Sequence, residues 1–202
     1  MDVTAYMMSC SERDEVRART LDDLRRSDWQ NDVIVQIDRS RQTRKQSRVE
    51  ETAFLLLRHA LEAGASFVLF LEDDLEFNRH LRHNLAEWVP LRAATPSGHF
   101  FGSLYNPCIR SIIEEPDAAY FLADPDAVYG SQALLMSRST IEYVLDNWAD
   151  VPGMPDIKMS RLAARNGPLF FHVPSLVQHV GVQSTWGGSP HVAPDYQRDW
   201  RA

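Results

Sequence analysis

Five consecutive apolar residues, Phe67 to Leu71, end directly on three acids, and this segment restricts the fold of the chain most strongly. An unbroken apolar run of this length is typical of a strand that is buried on both faces of a parallel sheet. Such a strand needs helices on both faces, which indicates the α/β class. The run is far shorter than the ~20 residues that cross a bilayer, and we expect no membrane segment.

The rest of the chain alternates between strand and helix patterns, as an α/β fold requires. Strands are predicted over Val3–Met8, Val33–Ile37, Phe67–Leu71, Phe100–Tyr105, Ala127–Met136 and Leu169–Val173. Helices are predicted over Ser11–Trp29, Val49–Gly64, Asn78–Arg92, Ser139–Trp148 and Asp156–Gly167. Residues 107–126 are predicted to form a long acidic loop.

Length and composition indicate one globular domain. The chain has 202 residues, of which 44% are hydrophobic and 24% charged, and this balance excludes a disordered or collagen-like chain. Its two cysteines, Cys10 and Cys108, are too few for a disulfide framework, and we expect both to be reduced. Because the N-terminus carries no leader pattern, the expected compartment is the cytoplasm.

The three acids after the buried run, Glu72, Asp73 and Asp74, are the clearest candidate for a functional site. Ligands of open α/β sheets bind beyond the carboxyl ends of the strands, which is where these acids lie. Adjacent carboxylates repel one another, so they favour a cation that offsets their charge. Mg²⁺ or Mn²⁺ binds one or two carboxylates together with substrate phosphates. The alternative is a solvated acidic turn.

Four segments carry a resemblance to a known family. Phe67–Leu75 resembles the metal-binding acidic motif of GT-A-fold glycosyltransferases. Ser9–Arg13, followed by Thr20–Leu24, is similar to the first strand–helix unit of that family, which holds the nucleotide. Tyr129–Met136 resembles the glycine-containing strand beside the donor sugar. Pro174–Gly181 is similar to the closing segment of the N-acetylglucosaminyltransferase IV group and of bacterial lipopolysaccharide glycosyltransferases.

The resemblance implies a single GT-A-like, Rossmann-like α/β domain over residues 1–202, with a mixed central sheet flanked by helices. Residues 1–78 would form the nucleotide-binding half and residues 79–202 the half for donor sugar and acceptor. The implied activity is that of a nucleotide-sugar glycosyltransferase that needs Mn²⁺ or Mg²⁺ and inverts the anomeric centre. Two departures are Glu-Asp-Asp in place of Asp-x-Asp, and the lack of an acid before Asp156.

The candidate reaction centre consists of carboxylates and one histidine. Asp74 is the expected cation ligand, with Asp73 and Glu72 directed toward the ribose or the cation's waters. His179 would add a nitrogen ligand, and the alternative is a hydrogen-bonded histidine at a strand end. Asp156 would accept the proton of the acceptor hydroxyl as it attacks the anomeric carbon, and the alternative is a helix N-cap.

The resemblance also implies donor contacts from Ser9, Arg13, Gly130, Ser131 and Gln132. Arg13 would reach a phosphate, unless it is an exposed helix arginine. Asp38, at the end of the second strand, would accept a hydrogen bond from the base or ribose, and a solvated turn acid is the other interpretation. Trp186 would stack on a sugar or base ring of the acceptor, or else packs to anchor the tail.

A basic run stands out in a chain of net charge −7, because residues 39–48 hold five bases and no acid. These bases are Arg39, Arg41, Arg44, Lys45 and Arg48. One interpretation of this run is a solvated loop without a specific function. The other is a basic patch that binds an anionic acceptor through Arg41, Arg44 and Lys45.

The leading function is transfer of a sugar from a nucleoside-diphosphate sugar to a saccharide, in a bacterial cytoplasm. The alternative acceptor is DNA with hydroxymethylated pyrimidines, as for phage enzymes that work in the host cytoplasm. A nucleotidyltransferase is less favoured, because it usually has a glycine-rich phosphate loop and Ser9–Arg13 contains no glycine. A non-catalytic sugar-binding module would not need the acid triplet.

Overall fold

In the computed structural model, which describes residues 2–107, 120–128, 130–181 and 191–202, seven strands form one mixed sheet and two more form a small one. The strands are β1 (Val3–Ser9), β2 (Val33–Ile37), β3 (Phe67–Leu71), β4 (Leu75–Phe77), β5 (Phe101–Ser103), β6 (Tyr120–Ala123), β7 (Ala133–Ser137), β8 (Leu169–His172) and β9 (Val177–His179). The helices are α1 (Asp14–Arg25), α2 (Lys45–Glu62), α3 (Leu81–Glu87), α4 (Val89–Ala93), α5 (Arg138–Asp146) and α6 (Pro155–Ala164).

The order across the large sheet is β2-β1-β3-β7-β5-β8-β6, and β4 pairs with β9 in the small sheet. β1 is parallel to both β2 and β3, and β5 is parallel to β8. β7 runs antiparallel to β3 and β5, and β6 runs antiparallel to β8. The expected α/β class with a mixed central sheet flanked by helices is confirmed.

Alternating side chains of the central strands supply the two faces of the sheet. Tyr6 and Phe70 pack in the core that α2, α5 and α6 cover. Met7 and Leu71 point to the other face, where α1, α3 and α4 complete a second core. All five residues of β3 are buried, as the unbroken apolar run predicts. Full burial of each leucine or phenylalanine contributes about 2 kcal/mol of hydrophobic stabilisation.

Several element boundaries differ from the sequence prediction. The helix predicted over Asn78–Arg92 is split at Trp88, whose extended backbone separates α3 from α4. The strand predicted over Ala127–Met136 is shorter, because Gly130 takes a positive φ of 84° and β7 begins only at Ala133. β6 lies within the predicted acidic loop, of which residues 108–119, with Cys108, are outside the described residues. Cys10 is a free thiol.

No membrane-spanning helix is present in the described ranges. None of the helices there combines the length and the apolar composition that a bilayer crossing requires.

Candidate active site

The predicted acids, Arg13, residues 130–132 and His179 lie at one edge of the sheet because of the strand directions. β1 ends at Ser9 and β3 at Leu71, and both carboxyl ends lie at the same edge because these strands are parallel. Antiparallel β7 begins at that edge, with Ala133 opposite Leu71, so the acids that follow β3 lie beside residues 130–132. The pairing of Leu75 with His179 brings the far end of the chain to the same place.

Arg13 connects two of the three acids. Its Nε lies 2.8 Å from Asp73 Oδ1 and its Nη2 lies 2.6 Å from Asp74 Oδ2. A turn of 3-10 helix, Ser11–Arg13, follows β1 directly and directs the guanidinium toward the end of β3. Arg13 is therefore not a free surface arginine, although a quarter of its side chain is exposed.

Polar contacts from β1 and α1 fix the turn that holds the acids. Ser9 Oγ donates to Asp73 Oδ2 at 2.5 Å, so Asp73 uses both carboxylate oxygens within the protein. Thr20 Oγ1 donates to the Asp73 carbonyl at 2.7 Å and accepts from the Leu75 N–H at 3.0 Å. Arg17 donates to Ser9 Oγ at 2.9 Å. The structure thus gives Ser9 and Asp73 a supporting role in the acidic turn.

Asp74 and His179 form the buried part of the site. Asp74 Oδ2 lies 3.2 Å from His179 Nε2, and both residues are more than nine-tenths buried. Asp74 Oδ1 is buried and has no hydrogen-bond partner among the described residues. A Cβ at Gly181 would lie 2.6 Å from Asp74 Oδ2 and 2.7 Å from His179 Nε2, so only glycine leaves this side of the pair open.

The surroundings of Asp74 and His179 determine whether a divalent cation fits between them. In the described part of the chain, no three ligating side chains are arranged to hold a metal ion by themselves. Asp74 offers carboxylate oxygens and His179 an imidazole nitrogen, which are atom types that ligate divalent cations, and Asp74 Oδ1 has no partner within the described residues. Mg²⁺ and Mn²⁺ sites of this kind are completed by water and substrate phosphates. The residues therefore fit a cation that binds together with a phosphorylated ligand.

Two further carboxylates of the site, Glu72 and Asp156, are bonded to the turn that precedes β7. Ser131 Oγ donates a hydrogen bond to Glu72 Oε1, and the Gly130 N–H donates to Asp156 Oδ2 at 2.7 Å. No side chain caps α6, so the alternative of Asp156 as a helix N-cap is wrong. Asp156 instead holds the turn at Gly130 in place through this hydrogen bond.

Gln132 lies in the same turn and is buried. Its Oε1 has no hydrogen-bond partner among the described residues. A Cβ at Gly130 would lie 1.8 Å from that oxygen, which is a steric clash. Gly130 also has a φ of +84°, a backbone conformation that residues with a side chain rarely adopt. The glycine therefore lets the Gln132 side chain fold back along the turn.

The charges of the site shift the pKa values of its members in different directions. Burial and the charge of Asp74 raise the pKa of Glu72 to about 7. Burial also raises the pKa of Asp73, despite the contacts with Ser9 and Arg13. Burial opposes ionisation of Asp74, but His179 and Arg13 outweigh it and lower its pKa. The hydrogen bond to Asp74 raises the pKa of His179.

A tyrosine and a second histidine, which sequence reasoning missed, extend the site. The Tyr105 hydroxyl donates to the His191 carbonyl at 2.9 Å and lies 2.6 Å from His191 Nδ1. The His191 ring stacks on His179 with a centroid distance of 4.9 Å. Neither residue belongs to a motif, and only the folding of the tail back over the sheet edge brings them together.

The remaining predicted residues that the structure describes, Asp38, Arg41, Arg44 and Lys45, are not in contact with the acids. Both oxygens of Asp38 are used, Oδ1 by the Ser40 N–H and Oδ2 by Arg48, so it is not a free turn acid. The exposed bases Arg41, Arg44 and Lys45 make no ion pair within the described residues. Trp186 lies outside the described residues.

No protein-family model matches the sequence, and no curated protein matches it. Solved structures with a similar fold include a glycosyltransferase involved in the glycosylation of the major capsid of PBCV-1. It matches with a TM-score of 0.52 and 10% identity, over 90% of this chain and 94% of that chain.

A197 from STIV matches with a TM-score of 0.51 and 13% identity, over 98% of this chain and 97% of that one. A 4-diphosphocytidyl-2C-methyl-D-erythritol synthase has a TM-score of 0.49 and 11% identity, with 91% and 95% covered. The two matches with TM-scores above 0.5 extend over nearly the whole chain, and they show that its overall fold is similar to that of a glycosyltransferase.

Proposed function

We propose that this chain transfers a sugar from a nucleoside-diphosphate sugar to an acceptor hydroxyl, with a divalent cation at Asp74 and inversion at the anomeric carbon. The observation that supports this most is the contact of Asp74 with His179 at the carboxyl ends of β1 and β3, with Asp156 bonded to Gly130 in the turn before β7 at the same edge. Ligands of α/β sheets bind at such an edge. That a similarly folded protein is a glycosyltransferase agrees with the proposal.

The donor diphosphate would lie over Arg13 and Asp74. A cation held by Asp74 and His179 would offset the negative charge that develops on the leaving group. Arg13 presents a guanidinium fork, which suits two phosphate oxygens. The buried Oε1 of Gln132 lacks a partner within the described residues and would accept a hydrogen bond from a donor-sugar hydroxyl.

Asp156 would serve as the base for the acceptor hydroxyl. Its Oδ2 accepts the Gly130 N–H at 2.7 Å, which fixes the orientation of the carboxylate. Oδ1 then takes the proton as the acceptor oxygen attacks the anomeric carbon. Attack from the side opposite the diphosphate inverts the anomeric centre.

Calorimetric titration with nucleoside diphosphates, with and without Mn²⁺, tests the donor site. We expect binding only with the cation, and at least a tenfold loss in Asp74→Asn. Asp22→Asn is the matched control, because within the described ranges that exposed acid forms an ion pair with Arg26 alone, on the surface of α1. Tight binding of free saccharide without cation or nucleotide would instead indicate a sugar-binding module.

A saccharide is the acceptor we favour, and one observation keeps DNA as a second candidate. Arg39, Arg41, Arg44 and Lys45 are exposed and form no ion pair within the described residues. The Asp38 N–H donates to the Ser9 carbonyl at 2.7 Å, so this run begins beside the proposed donor site.

Filter binding of duplex DNA at several salt concentrations separates the two acceptors. A DNA acceptor predicts a log–log slope of about −0.9 per contacted phosphate. Changing Arg41, Arg44 and Lys45 together to Gln would then flatten the slope by up to about three units. A neutral saccharide acceptor predicts no salt slope and no response of sugar transfer to these substitutions.

A further inference from the structure

The Arg13 guanidinium lies where a cation bound to the acidic turn would lie. It contacts Asp73 Oδ1 at 2.8 Å and Asp74 Oδ2 at 2.6 Å, so its single positive charge is shared between the two acids. Asp74 Oδ2 is also the oxygen that His179 contacts, at 3.2 Å. Asp74 Oδ2 and His179 Nε2 are thus occupied by protein contacts, whereas Asp74 Oδ1 lacks a partner within the described residues.

A guanidinium and a divalent cation repel each other at the distances that this turn allows. The repulsion is strong because Asp73 and Asp74 are more than nine-tenths buried, where water screens charges poorly. A cation that binds Asp74 Oδ2 therefore gains less energy while Arg13 stays in place. Cation binding becomes easier once the guanidinium has moved to another anion.

Arg13 has the surroundings to make such a move. Its side chain is 25% exposed, whereas the side chains of its two acidic partners are 7% and 8% exposed, so it borders solvent on one side. Its backbone ends a short 3-10 turn at the carboxyl end of β1, where the diphosphate is proposed to bind. A phosphate pair offers the guanidinium two oxygens in the geometry that the carboxylates now supply.

We propose that Arg13 is an internal counter-ion that competes with the divalent cation and leaves the acids for the donor diphosphate when the nucleotide binds. The proposal rests on the proposed function, because it assumes that Asp74 and a diphosphate share one site. It makes cation and nucleotide binding cooperative, since each ligand favours the position of Arg13 that the other needs.

Titration of free Mn²⁺ by electron paramagnetic resonance, with and without nucleoside diphosphate, tests the competition. We expect Arg13→Gln to bind Mn²⁺ alone at least tenfold more tightly than the wild type. The same variant should bind nucleoside diphosphate in the presence of Mn²⁺ about tenfold more weakly, so that the cooperativity falls. Arg26→Gln is the matched control, because this exposed arginine forms an ion pair with Asp22 alone in the part of the chain that the structure describes.

A second variant covers the case that Arg13→Gln does not fold with two uncompensated acids. The double variant Arg13→Gln/Asp73→Asn removes one acid together with the arginine and keeps Asp74, and we expect it also to bind Mn²⁺ more tightly than the wild type. Mn²⁺ binding that is unchanged or weaker in these variants overturns the competition but leaves the cation site standing. Absence of Mn²⁺ binding from every form, with and without nucleotide, overturns both.

Discussion

Asp156 is held through one carboxylate oxygen, Oδ2, and the proposed proton transfer uses the other, Oδ1. A substitution can therefore remove the proton acceptor and keep the structural hydrogen bond. Asn at this position keeps an oxygen for the Gly130 N–H, which lies at 2.7 Å in the wild type, but cannot accept a proton. We expect Asp156→Asn to lower kcat by roughly 10²–10⁴ with the donor KM almost unchanged. Steady-state kinetics at varied donor concentration gives both values. A raised donor KM with kcat unchanged would remove Asp156 from the base role.

Single residues of the site differ in how far the sequence predicts them. Asp74 and His179 were predicted as a pair and lie 3.2 Å apart, although their role as cation ligands stays a prediction. The contact of Arg13 with Asp73 and Asp74 could not be predicted, because a turn arginine has no periodicity that indicates its partner. Tyr105 had no motif, and it reaches His191 only through the tertiary packing of the tail.

At the scale of elements, α1 and the acidic turn are joined by one hydroxyl. Thr20 Oγ1 bridges the Asp73 carbonyl and the Leu75 N–H, and all three groups are buried. Thr20→Val has nearly the same shape but leaves both backbone groups unpaired. Buried polar groups without partners cost about 1–3 kcal/mol each. We expect a loss of about 2 kcal/mol or more in the free energy of unfolding, measured by urea denaturation.

The conservative change Thr20→Ser is the control for this bridge. It keeps the hydroxyl and loses only a methyl group, so we expect most of the stability to return, together with Mn²⁺-dependent nucleotide binding. Equal stability of Thr20→Val and the wild type would contradict the bridge between α1 and the turn.

The sequence predicts elements best where one pattern dominates. β3 was predicted from its apolar run with the bounds that the structure has, Phe67–Leu71, because burial on both faces leaves little freedom. The short β4 and β9 were missed, since strands of three residues carry too few side chains to show a period. The split at Trp88 has a local cause beside the buried indole, because Pro90 in the first turn of α4 lacks the N–H that would continue α3.

At the scale of the whole molecule, His172 links folding to pH. It is buried at the end of β8, its Nδ1–H donates to the Pro174 carbonyl at 2.7 Å, and burial lowers its pKa to about 4. The unfolded chain binds this proton near pH 6.5, so between pH 6.5 and 4 the unfolded state holds more protons. The contribution of His172 is therefore complete above pH 6.5 and is lost as the pH falls toward 4.

We expect His172→Phe to remove this part of the pH dependence. The difference in unfolding free energy between wild type and variant should change by about 3 kcal/mol between pH 7 and 4, in the direction that penalises the wild type at low pH. Urea denaturation at a series of pH values measures it. His172→Asn, which keeps a donor for the Pro174 carbonyl, controls for the lost hydrogen bond. A pH-independent difference would contradict a neutral, buried His172.

The central claim, sugar transfer from a nucleotide donor at Asp74, is tested most directly by a screen of nucleotide sugars for cation-dependent release of nucleoside diphosphate. The account predicts release from at least one donor with Mn²⁺ or Mg²⁺, its loss on chelation, and a fall of at least a hundredfold in Asp74→Asn but not in Asp22→Asn. Release that Asp74→Asn leaves unchanged at saturating Mn²⁺, or pyrophosphate release from nucleoside triphosphate and sugar phosphate instead, would contradict it.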